Sequence, residues 1–279
     1  MTAIYDLFVS GGKDSVVAAT IAFEEARQKG IPARVVFINE LPAFGIPTEI
    51  LPFNPLDYVK QFSEWLGVDL IVINVDFDYW EGVKKWGYPL LFHKRWCYDK
   101  MKVRALTKFV EQEIREGYRL RTWILGIRAS ESKRREKIWG SRSKRYTYWF
   151  QGYQVEYYLP ILDWSEKQVE SFIKKRGIPE NPAWRFGWSF ECLCMAGTTI
   201  KKLDEIIAEA PELAKWLAEK DGEVQVARRK GPAYPAPLLG KKMTLHEYVE
   251  RKLKQPKLTQ YLETGGMDGS EGRDRARRC

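Results

Sequence analysis

The stretch "YDLFVSGGKDSVVAAT", from Tyr5 to Thr20, joins an apolar strand-like run to a helical run through two adjacent glycines. Glycine permits backbone angles and close approaches that other residues do not. The first turn of the following helix offers unpaired N–H groups and the positive end of the helix dipole, and Lys13 adds a full positive charge. We therefore predict that this turn binds an anion, of which phosphate is the commonest in biology.

Two familiar phosphate-binding loops do not fit this turn. The Walker A loop requires a glycine at the position of Leu7. The dinucleotide fingerprint requires spaced glycines, whereas Gly11 and Gly12 are adjacent and no third glycine follows at the right place. A purely structural interpretation, a tight strand-to-helix turn with Ser10 as the helix cap, stays open at this point.

The composition of the chain bounds its class. The 279 residues, 44% of them hydrophobic, suit one large domain or one domain with an extension. The 46 Lys and Arg against 37 Asp and Glu give a net charge of +9, which favours anionic partners such as nucleotides, sulfate esters or RNA. The 30% of charged residues, with few Asn or Gln, is a compositional hint of a thermophile.

Hydropathy predicts the location. The sequence has no run of 18 apolar residues, and it enters a strand almost directly, so we expect neither a membrane span nor a signal peptide. We therefore expect a cytoplasmic protein without a membrane partner. In that compartment cysteines are more often reduced, metal-binding or catalytic than paired in disulfides.

Strand-like and helix-like runs alternate along the first 165 residues. The predicted strands are residues 3–10, 33–40, 69–76, 122–128 and 156–162, and the predicted helices are residues 15–30, 54–67, 100–117 and 163–177. The cap of the last helix is either Asp163 or Ser165, and Gly177 ends it. The strands are short, continuous and rich in Val, Ile and Leu, as in sheets buried on both faces. The fold class predicted is therefore α/β with a doubly wound, mainly parallel sheet.

Ligands of such sheets sit at the carboxyl ends of the strands. Four polar or glycine-containing turns follow predicted strand ends and are candidates for one cleft: residues 10–15, 39–40, 76–78 and 126–131. Asn39 and Glu40 are placed to reach the ribose or adenine of a nucleotide.

The character of the sequence changes after Gly197. Two short helices interrupted by Pro211, a basic Pro-rich stretch and a further helix ending near Pro256 form a predicted C-terminal helical extension. From Thr264 the sequence has almost no apolar content and is typical of a mobile tail. The predicted organisation is therefore an α/β domain over residues 1–200, a basic helical extension over residues 201–263 and a flexible tail over residues 264–279.

Four blocks carry a resemblance to a known family. "SGGKDS" resembles the PP-loop signature of the adenine-nucleotide alpha-hydrolase-like superfamily, which includes ATP pyrophosphatases and sulfonucleotide reductases. "WCYDKMKVRAL" at Cys97, "GIRASESKRR" from Gly126 to Arg135, and the block from Pro160 to Cys194 are similar to successive segments of the phosphoadenosine phosphosulfate (PAPS) reductase family. The chain is thus identified as a member of that family, and the resemblance implies a PP-loop, HUP-like fold.

The resemblance also implies a site for an adenine nucleotide, ATP or PAPS, with Mg²⁺. The residues implied to bind the nucleotide are Ser10, Gly11, Gly12, Lys13, Asp14, Ser15, Asn39, Gly126, Arg128 and Glu131, with catalytic roles for Lys13, Asp14 and Arg128. Two roles stay open for Asp14: it orients Lys13 or contacts a metal, or it is a carboxylate that favours the helix dipole. The guanidinium of Arg128 suits a second phosphate, with a surface ion pair as the alternative. Arg134 and Arg135 are either ligand contacts or solvated charges.

The cysteines depart from the family's pattern. Some members hold a [4Fe–4S] cluster with an early adjacent cysteine pair and a later C-x-x-C, whereas this chain has Trp96–Cys97 and Cys192-x-Cys194. Three alternatives stay open for Cys97, Cys192 and Cys194: a cluster with one open iron, a disulfide, or simple burial. We predict that the three converge beside the nucleotide cleft. The reductases' tail cysteine motif is absent, although Cys279 ends the chain.

Three functions follow. The favoured prediction is an enzyme that cleaves ATP between the α and β phosphates and transfers the adenylyl group, in sulfur metabolism or thiolation, to an acceptor such as RNA or a small molecule. The second is a PAPS or adenosine phosphosulfate reductase that releases sulfite. The third is a non-catalytic nucleotide- or RNA-binding protein that uses the basic extension around residues 228–230 and 241–242. A homodimer is an open expectation in each case.

Overall fold

The computed structural model of the chain describes residues 2–89, 95–187, 192–194, 199–228 and 243–254. Six strands lie in these residues: β1 (Thr2–Phe8), β2 (Ala33–Asn39), β3 (Leu70–Asn74), β4 (Tyr118–Ile124), β5 (Arg145–Phe150) and β6 (Tyr153–Tyr158). They form one sheet in the order β3-β2-β1-β4-β6-β5. Every neighbouring pair is parallel except β5 and β6, which form an antiparallel hairpin at the edge.

Helices follow most of the strands. Their bounds are α1 (Lys13–Lys29), α2 (Leu41–Phe44), α3 (Pro55–Leu66), α4 (Tyr79–Trp86), α5 (Arg104–Arg115), α6 (Lys133–Trp139), α7 (Glu166–Arg176), α8 (Ile200–Glu209), α9 (Pro211–Arg228) and α10 (Leu245–Lys254). A π-helical turn, Tyr98–Val103, leads into α5. The predicted doubly wound α/β class with helices after residue 200 is confirmed. None of the helices in the described residues has the length and apolar character needed to cross a bilayer.

Local sequence explains the helix ends. Of the two predicted caps, Ser165 is the one that begins α7, with a capping box in which Gln168 is the reciprocal partner. Gly177 ends the helix in the left-handed conformation, as predicted. Pro211 begins α9 directly after Ala210, so the predicted interruption separates two helices. The strand β5 and the helices α4 and α6 were not predicted.

The alternation of β1 sends side chains to two cores. Tyr5 and Leu7 pack with α1, α3 and α7 on one face of the sheet. Phe8 lies on the other face with Trp123 of β4 and Leu106 of α5. A third core joins α2 and α4 to the helices α8, α9 and α10, so the C-terminal helices pack against elements that precede residue 90.

The strand order places a crevice at one point of the sheet. The chain winds from β1 through β2 to β3 on one side, and then returns to place β4 on the other side of β1. The loops that leave β1 and β4 therefore diverge to opposite faces, and open α/β sheets bind their ligands at such a switch point. The Ser10–Ser15 turn leaves β1 and the Gly126–Glu131 segment leaves β4 at this point.

Charged side chains are buried between the sheet and α5. Asp6 and Glu113 are fully buried, and Arg34 is nearly so. Arg34 pairs with Asp6 (Nε to Oδ1, 2.9 Å) and with Glu113, and Arg121 Nε lies 3.4 Å from Glu113 Oε2. Burial and the neighbouring Asp6 carboxylate raise the pKa of Glu113 to about 9, and burial also raises the pKa of Asp6. The Asp6–Glu113 pair therefore keeps a proton at pH values at which ordinary carboxyl groups are ionised.

This proton makes stability depend on pH. The ordinary pKa of Glu113 is 4.5, so between there and about 9 the unfolded chain has lost the proton that the folded chain keeps. The free energy of unfolding therefore falls as the pH rises through this window, by at most about 1.4 kcal/mol per pH unit. We expect Glu113→Gln, which cannot ionise, to flatten the fall measured by urea unfolding between about pH 6 and pH 9. Glu116→Gln, which removes a half-exposed partner of Arg34, is the control and keeps the wild-type slope. Equal slopes in the wild type and Glu113→Gln would contradict the shared proton.

Candidate functional site

The turn after β1 presents backbone N–H groups at the switch point. Gly11 has a positive φ of 84°, and Gly12 begins α1 in an extended conformation without a side-chain cap. The N–H groups of the first helical turn have no intrahelical acceptors. The structural interpretation with Ser10 as the α1 cap is therefore wrong, because Gly12 is the cap residue and Ser10 Oγ accepts only a long bond, 3.4 Å, from the Gly12 N–H.

The two serines tie the turn together. Ser15 Oγ donates to the Gly12 carbonyl (2.8 Å) and accepts from the Ser10 N–H (3.2 Å). The two hydroxyl oxygens are 3.3 Å apart. Ser10 and Ser15 thus close the turn on itself, and both line the adjoining cleft.

Residues that follow α7 fix the Gly11–Gly12 turn through hydrogen bonds to its backbone. The Gly11 carbonyl accepts from Asn181 Nδ2 (3.0 Å) and from Trp184 Nε1 (2.7 Å). Asn181 is buried, and its own oxygen accepts from the Ala183 N–H (2.9 Å). Because these donors bind the one Gly11 carbonyl, that acceptor is directed away from a bound anion.

Gly126 brings β4 against the start of α1. A Cβ atom at Gly126 would lie 2.5 Å from Ser15 N and 2.6 Å from Ser15 Cα, closer than any real Cβ contact. The residue after the strand can approach the α1 backbone only because it has no side chain. Gly126 itself lines the cleft.

Two residues later, Arg128 binds Asp14. Arg128 Nε lies 2.8 and 2.9 Å from the two carboxylate oxygens of Asp14, and the arginine is buried. Asp14 is therefore directed to Arg128 rather than to Lys13, which was the orienting role considered for it. Lys13 Nζ instead pairs with Glu170 Oε1 of α7 at 2.8 Å, and both side chains are partly exposed. The ion pair fixes Arg128 beside the turn, whereas the Lys13 contact is one that an anion can replace.

A cleft of about 890 Å³ opens beside this turn. Its lining joins the turn, the end of β4 and three thiols: Ser10, Ser15, Gly126, Cys97, Cys192 and Cys194. Four cationic side chains also line it, Arg95, Lys102, Arg135 and Lys202. The one carboxylate in the described lining, Glu40, pairs with Lys102 at 2.6 Å. The cleft is therefore strongly electropositive, which suits a ligand with several negative charges.

The remaining predicted nucleotide residues lie at the margins. Asn39 is buried and donates from Nδ2 to Asn74 Oδ1 of β3 (2.9 Å), while its oxygen accepts from the Leu41 N–H (3.3 Å). Glu131 is exposed and pairs with Arg135, which lines the cleft. Asn39 thus shapes the end of β2, and Glu131 acts through Arg135.

The three cysteines meet, as predicted. Contact with the Cys194 thiol, together with burial, raises the pKa of both Cys97 and Cys192. Tyr79 donates its hydroxyl to the Cys194 carbonyl (2.7 Å), which fixes the backbone of this segment. Cys97, Cys192 and Cys194 form no disulfide with one another, and all three line the cleft beside the Gly11–Gly12 turn.

The described residues give no support to an iron–sulfur cluster at these thiols. Within the part of the chain that the structure describes, no group of three or more His, Cys, Asp or Glu side chains is arranged to hold a metal ion. Trp96 precedes Cys97 and occupies the position of the other cysteine in the early adjacent pair of some family members. Its indole donates to the Gly87 carbonyl (2.9 Å) and packs against Tyr79 at 5.6 Å, so it belongs to an aromatic core.

The sequence did not identify the cationic and aromatic lining. Arg95, Lys102 and Lys202 come from segments with no strand-end signal, and Lys202 reaches the cleft from α8 in the C-terminal extension. For Lys102 a signal existed, because it lies five residues after Cys97 in a segment already matched to the family. Cys279 and residues 229–230 and 241–242, which the sequence singled out, lie outside the described residues.

Comparison with known proteins gives one extensive match. The family model described as "Phosphoadenosine phosphosulfate reductase domain" matches residues 5–193. Among curated proteins, uncharacterized protein MJ0066 of Methanocaldococcus jannaschii is 28% identical over 74% of this chain and 39% of its own length. A phosphoadenosine 5'-phosphosulfate reductase of Baumannia cicadellinicola is 31% identical over 24% of each protein. The chain therefore spans well under two thirds of the length of these curated relatives.

Two solved structures are similar in part. The phosphoadenylyl-sulfate reductase of Candida auris, in a phosphate complex, aligns with a TM-score of 0.42 and 17% identity over 66% of this chain and 78% of its own. The FMN adenylyltransferase of Candida glabrata, with FAD and pyrophosphate, aligns with a TM-score of 0.40 and 14% identity over 67% of this chain and 52% of its own.

The contact at Gly126 yields a prediction about stability. In Gly126→Ala the new Cβ meets the Ser15 backbone, so strand or helix must shift, and overpacking of this kind costs about 1–3 kcal/mol. We expect the free energy of unfolding, measured in urea, to fall by that amount. The control is Gly222→Ala inside α9, where the Cβ meets the His246 ring at an ordinary 3.5 Å and alanine favours the helix. If both variants are as stable as the wild type, the close approach at Gly126 is not a constraint.

Proposed function

The chain belongs to the phosphoadenosine phosphosulfate reductase domain family, and on this basis we propose that its cleft binds an adenine nucleotide and promotes a reaction at the phosphate chain. The finer proposal is cleavage of ATP between the α and β phosphates, with transfer of the adenylyl group to an acceptor. One observation carries it: the anion-binding turn and the end of β4 meet at the switch point of the sheet and open on an electropositive cleft.

Each part of the turn has a role in this proposal. The N–H groups of the first turn of α1 bind phosphate oxygens, and the helix dipole favours their charge. Lys13 exchanges Glu170 for a phosphate, since its contact is partly exposed. Arg128, held by Asp14, keeps a positive charge beside the phosphates as negative charge moves onto the leaving group.

The reaction balances without a redox partner. A nucleophilic oxygen or nitrogen of the acceptor attacks the α-phosphorus, the bond from that phosphorus to the bridging oxygen breaks, and pyrophosphate leaves with the electron pair. Lys102, Arg95 and Lys202 supply further positive charge in the cleft. Both Asp14 oxygens are bound to Arg128, so Mg²⁺ would arrive on the phosphates of ATP with its water ligands, where it neutralises their charge.

The thiols favour a second candidate, reduction of a sulfonucleotide. Cys97, Cys192 and Cys194 line the same cleft as the anion-binding turn. One thiolate would attack the sulfur of PAPS and release the nucleotide. A second thiol would then attack the first, which releases sulfite, forms a disulfide and oxidises the two cysteines by two electrons in all. The raised pKa values of Cys97 and Cys192 oppose the first step at these two thiols, and this is why we place the candidate second.

The two candidates predict different products. Purified protein is incubated with ATP and Mg²⁺ and, separately, with PAPS and a thiol reductant, and AMP, pyrophosphate and sulfite are measured. We expect pyrophosphate from ATP, stimulated by the acceptor, and we expect deletion of residues 264–279 to leave it unchanged. Sulfite from PAPS that is lost in Cys194→Ser or in Cys279→Ser would instead establish the reductase. Absence of all products, with nucleotide binding retained, would favour the non-catalytic alternative.

The role of Lys13 can be separated from that of its partner. Lys13→Ala removes a direct phosphate charge, and we expect adenine-nucleotide affinity to fall at least tenfold, about 1.4 kcal/mol. Glu170→Gln removes only the competing carboxylate, so affinity should hold or rise. Calorimetric titration of both variants measures the two effects. Equal affinities in the wild type and Lys13→Ala would remove Lys13 from the site.

The cytoplasmic location, the homodimer, the thermophilic source and the division at residues 200 and 263 stay predictions. For the predicted division at residue 200, the structure shows that α8 and α9, which follow it, share a core with α2 and α4, which precede it.

A further inference from the structure

A basic segment lies at the rim of the cleft. Residues 133–145 comprise α6 and the turn into β5, and we call them the basic rim. They carry seven cations and one acidic residue: Lys133, Arg134, Arg135, Lys137, Arg142, Lys144 and Arg145, with Glu136. Three of these cations also pair with carboxylates outside the segment: Arg135 with Glu131, Lys144 with Asp163, and Arg145 with Glu25 and Glu156. The helix α6 buries none of its residues, and Ile138 is largely exposed. The protein therefore keeps a charged helix at this edge without a hydrophobic core to hold it.

A row of aromatic rings runs from this rim into the cleft. Trp139 lies 6.4 Å from Tyr146, which lies 5.5 Å from Tyr157. Tyr157 stacks with Trp123 at 6.0 Å, and Trp139, Tyr157 and Trp123 all line the cleft. Tyr148 packs against Tyr157 at 4.6 Å and is 41% exposed. We call these five side chains the aromatic row.

Cations are interleaved with the rings. The Arg142 guanidinium lies 5.2 Å from the Trp139 ring and 5.3 Å from the Tyr146 ring. Arg135, one turn before Trp139 on α6, lines the cleft beside it. Rings on which bases stack, flanked by cations that meet phosphates, are the two features that bind single-stranded nucleic acid.

The charge argues against a second copy on this surface. Two copies joined along the β5 edge would bring two basic rims together, and like charges oppose that contact. The undescribed residues 229–242 cannot neutralise the rim either, because they carry four cations and no acidic residue. A polyanion is the complementary partner. The exposed ring of Tyr148 selects an unpaired strand over a duplex, whose bases are stacked on one another.

We propose that the basic rim and the aromatic row bind a single-stranded nucleic acid and lead one of its nucleotides toward the cleft. The phosphates contact Arg142 and its neighbours on the rim, and the bases stack on the exposed ring of Tyr148 and on the partly buried rings of Tyr146 and Trp139. Binding is independent of the reaction in the cleft. The further point, that the strand supplies the acceptor for adenylyl transfer, rests on the proposed function.

The test measures binding without ATP. The fluorescence anisotropy of labelled strands of about 12 nucleotides, one ribo- and one deoxyribo-, is followed at rising salt, with a duplex of the same length for comparison. We expect both single strands to bind more tightly than the duplex, and a difference between them would measure a contact to the 2′-hydroxyl. Tyr148→Ala should weaken binding about tenfold, whereas Tyr148→Phe, which keeps the ring, should stay within about twofold.

Matched controls come from the same strand and from the opposite face of the sheet. Side chains alternate along β5, so Trp149, 65% exposed, lies on the face opposite Tyr148, and Trp149→Ala should leave affinity unchanged. Arg142→Glu should weaken binding and lower the salt slope by about 0.7 for one lost phosphate contact. Lys60→Glu on α3 changes the charge equally on the other face and should have no such effect.

The outcomes are decisive because nucleotide binding is assayed separately. If the protein fails to bind ATP but binds single strands through Tyr148 and Arg142, the proposed function is refuted and nucleic-acid binding at this surface is supported. Equal losses in Tyr148→Ala and Trp149→Ala, tighter binding of the duplex, or no binding at physiological salt would overturn the proposal. So would a dimer, detected by sedimentation, that dissociates in Arg142→Glu or Tyr148→Ala.

Discussion

The contact between Gly126 and the backbone of Ser15 is the constraint on which the site depends. A strand end and a helix start can come this close only where one of them has no side chain. The contact joins the loops that leave β1 and β4, the two strands at which the sheet changes its direction of winding. Arg128 follows two residues later and therefore reaches Asp14 in the first turn of α1. In the proposed function, the position of the phosphate site is therefore set by backbone packing before any ligand binds.

The rest of the turn is held by the segment that follows α7. Asn181 and Trp184 donate to the single Gly11 carbonyl and leave the N–H groups of the turn for an anion. Tyr58 of α3 secures this segment by donating to the Pro179 carbonyl (2.9 Å). Three distant parts of the sequence thus converge on one glycine. This explains why the "GIPENPAW" block accompanies the "SGGKDS" turn, although it offers no chemistry of its own.

The sequence allowed prediction of the parallel sheet and the turn because both depend on local signals. Continuous apolar runs and glycines at strand ends are readable residue by residue. The partners of Lys13 and Asp14 were not predictable, because Glu170 and Arg128 are more than 100 residues away and only packing selects between them. The hairpin of β5 and β6 was missed for another reason. Its turn uses Gln151 at φ 48° before Gly152, and β5 lies in a basic aromatic run without the usual apolar pattern.

The cleft brings two kinds of chemistry together, and their combination bears on the proposed function. In that proposal the turn after β1 holds negative charge with backbone N–H groups, which do not change their protonation. The cleft lining also carries Cys97, Cys192 and Cys194, and contact with Cys194 together with burial raises the pKa of Cys97 and Cys192, so these two remain thiols. Trp123, Trp139 and Tyr157 of the aromatic row line the same cleft. In the proposed function, a nucleotide seated at the turn meets thiols, rings and cations in the same cleft. In the further proposal, a strand bound at Tyr148 and Arg142 supplies the acceptor, so the rim selects which acceptor meets the nucleotide.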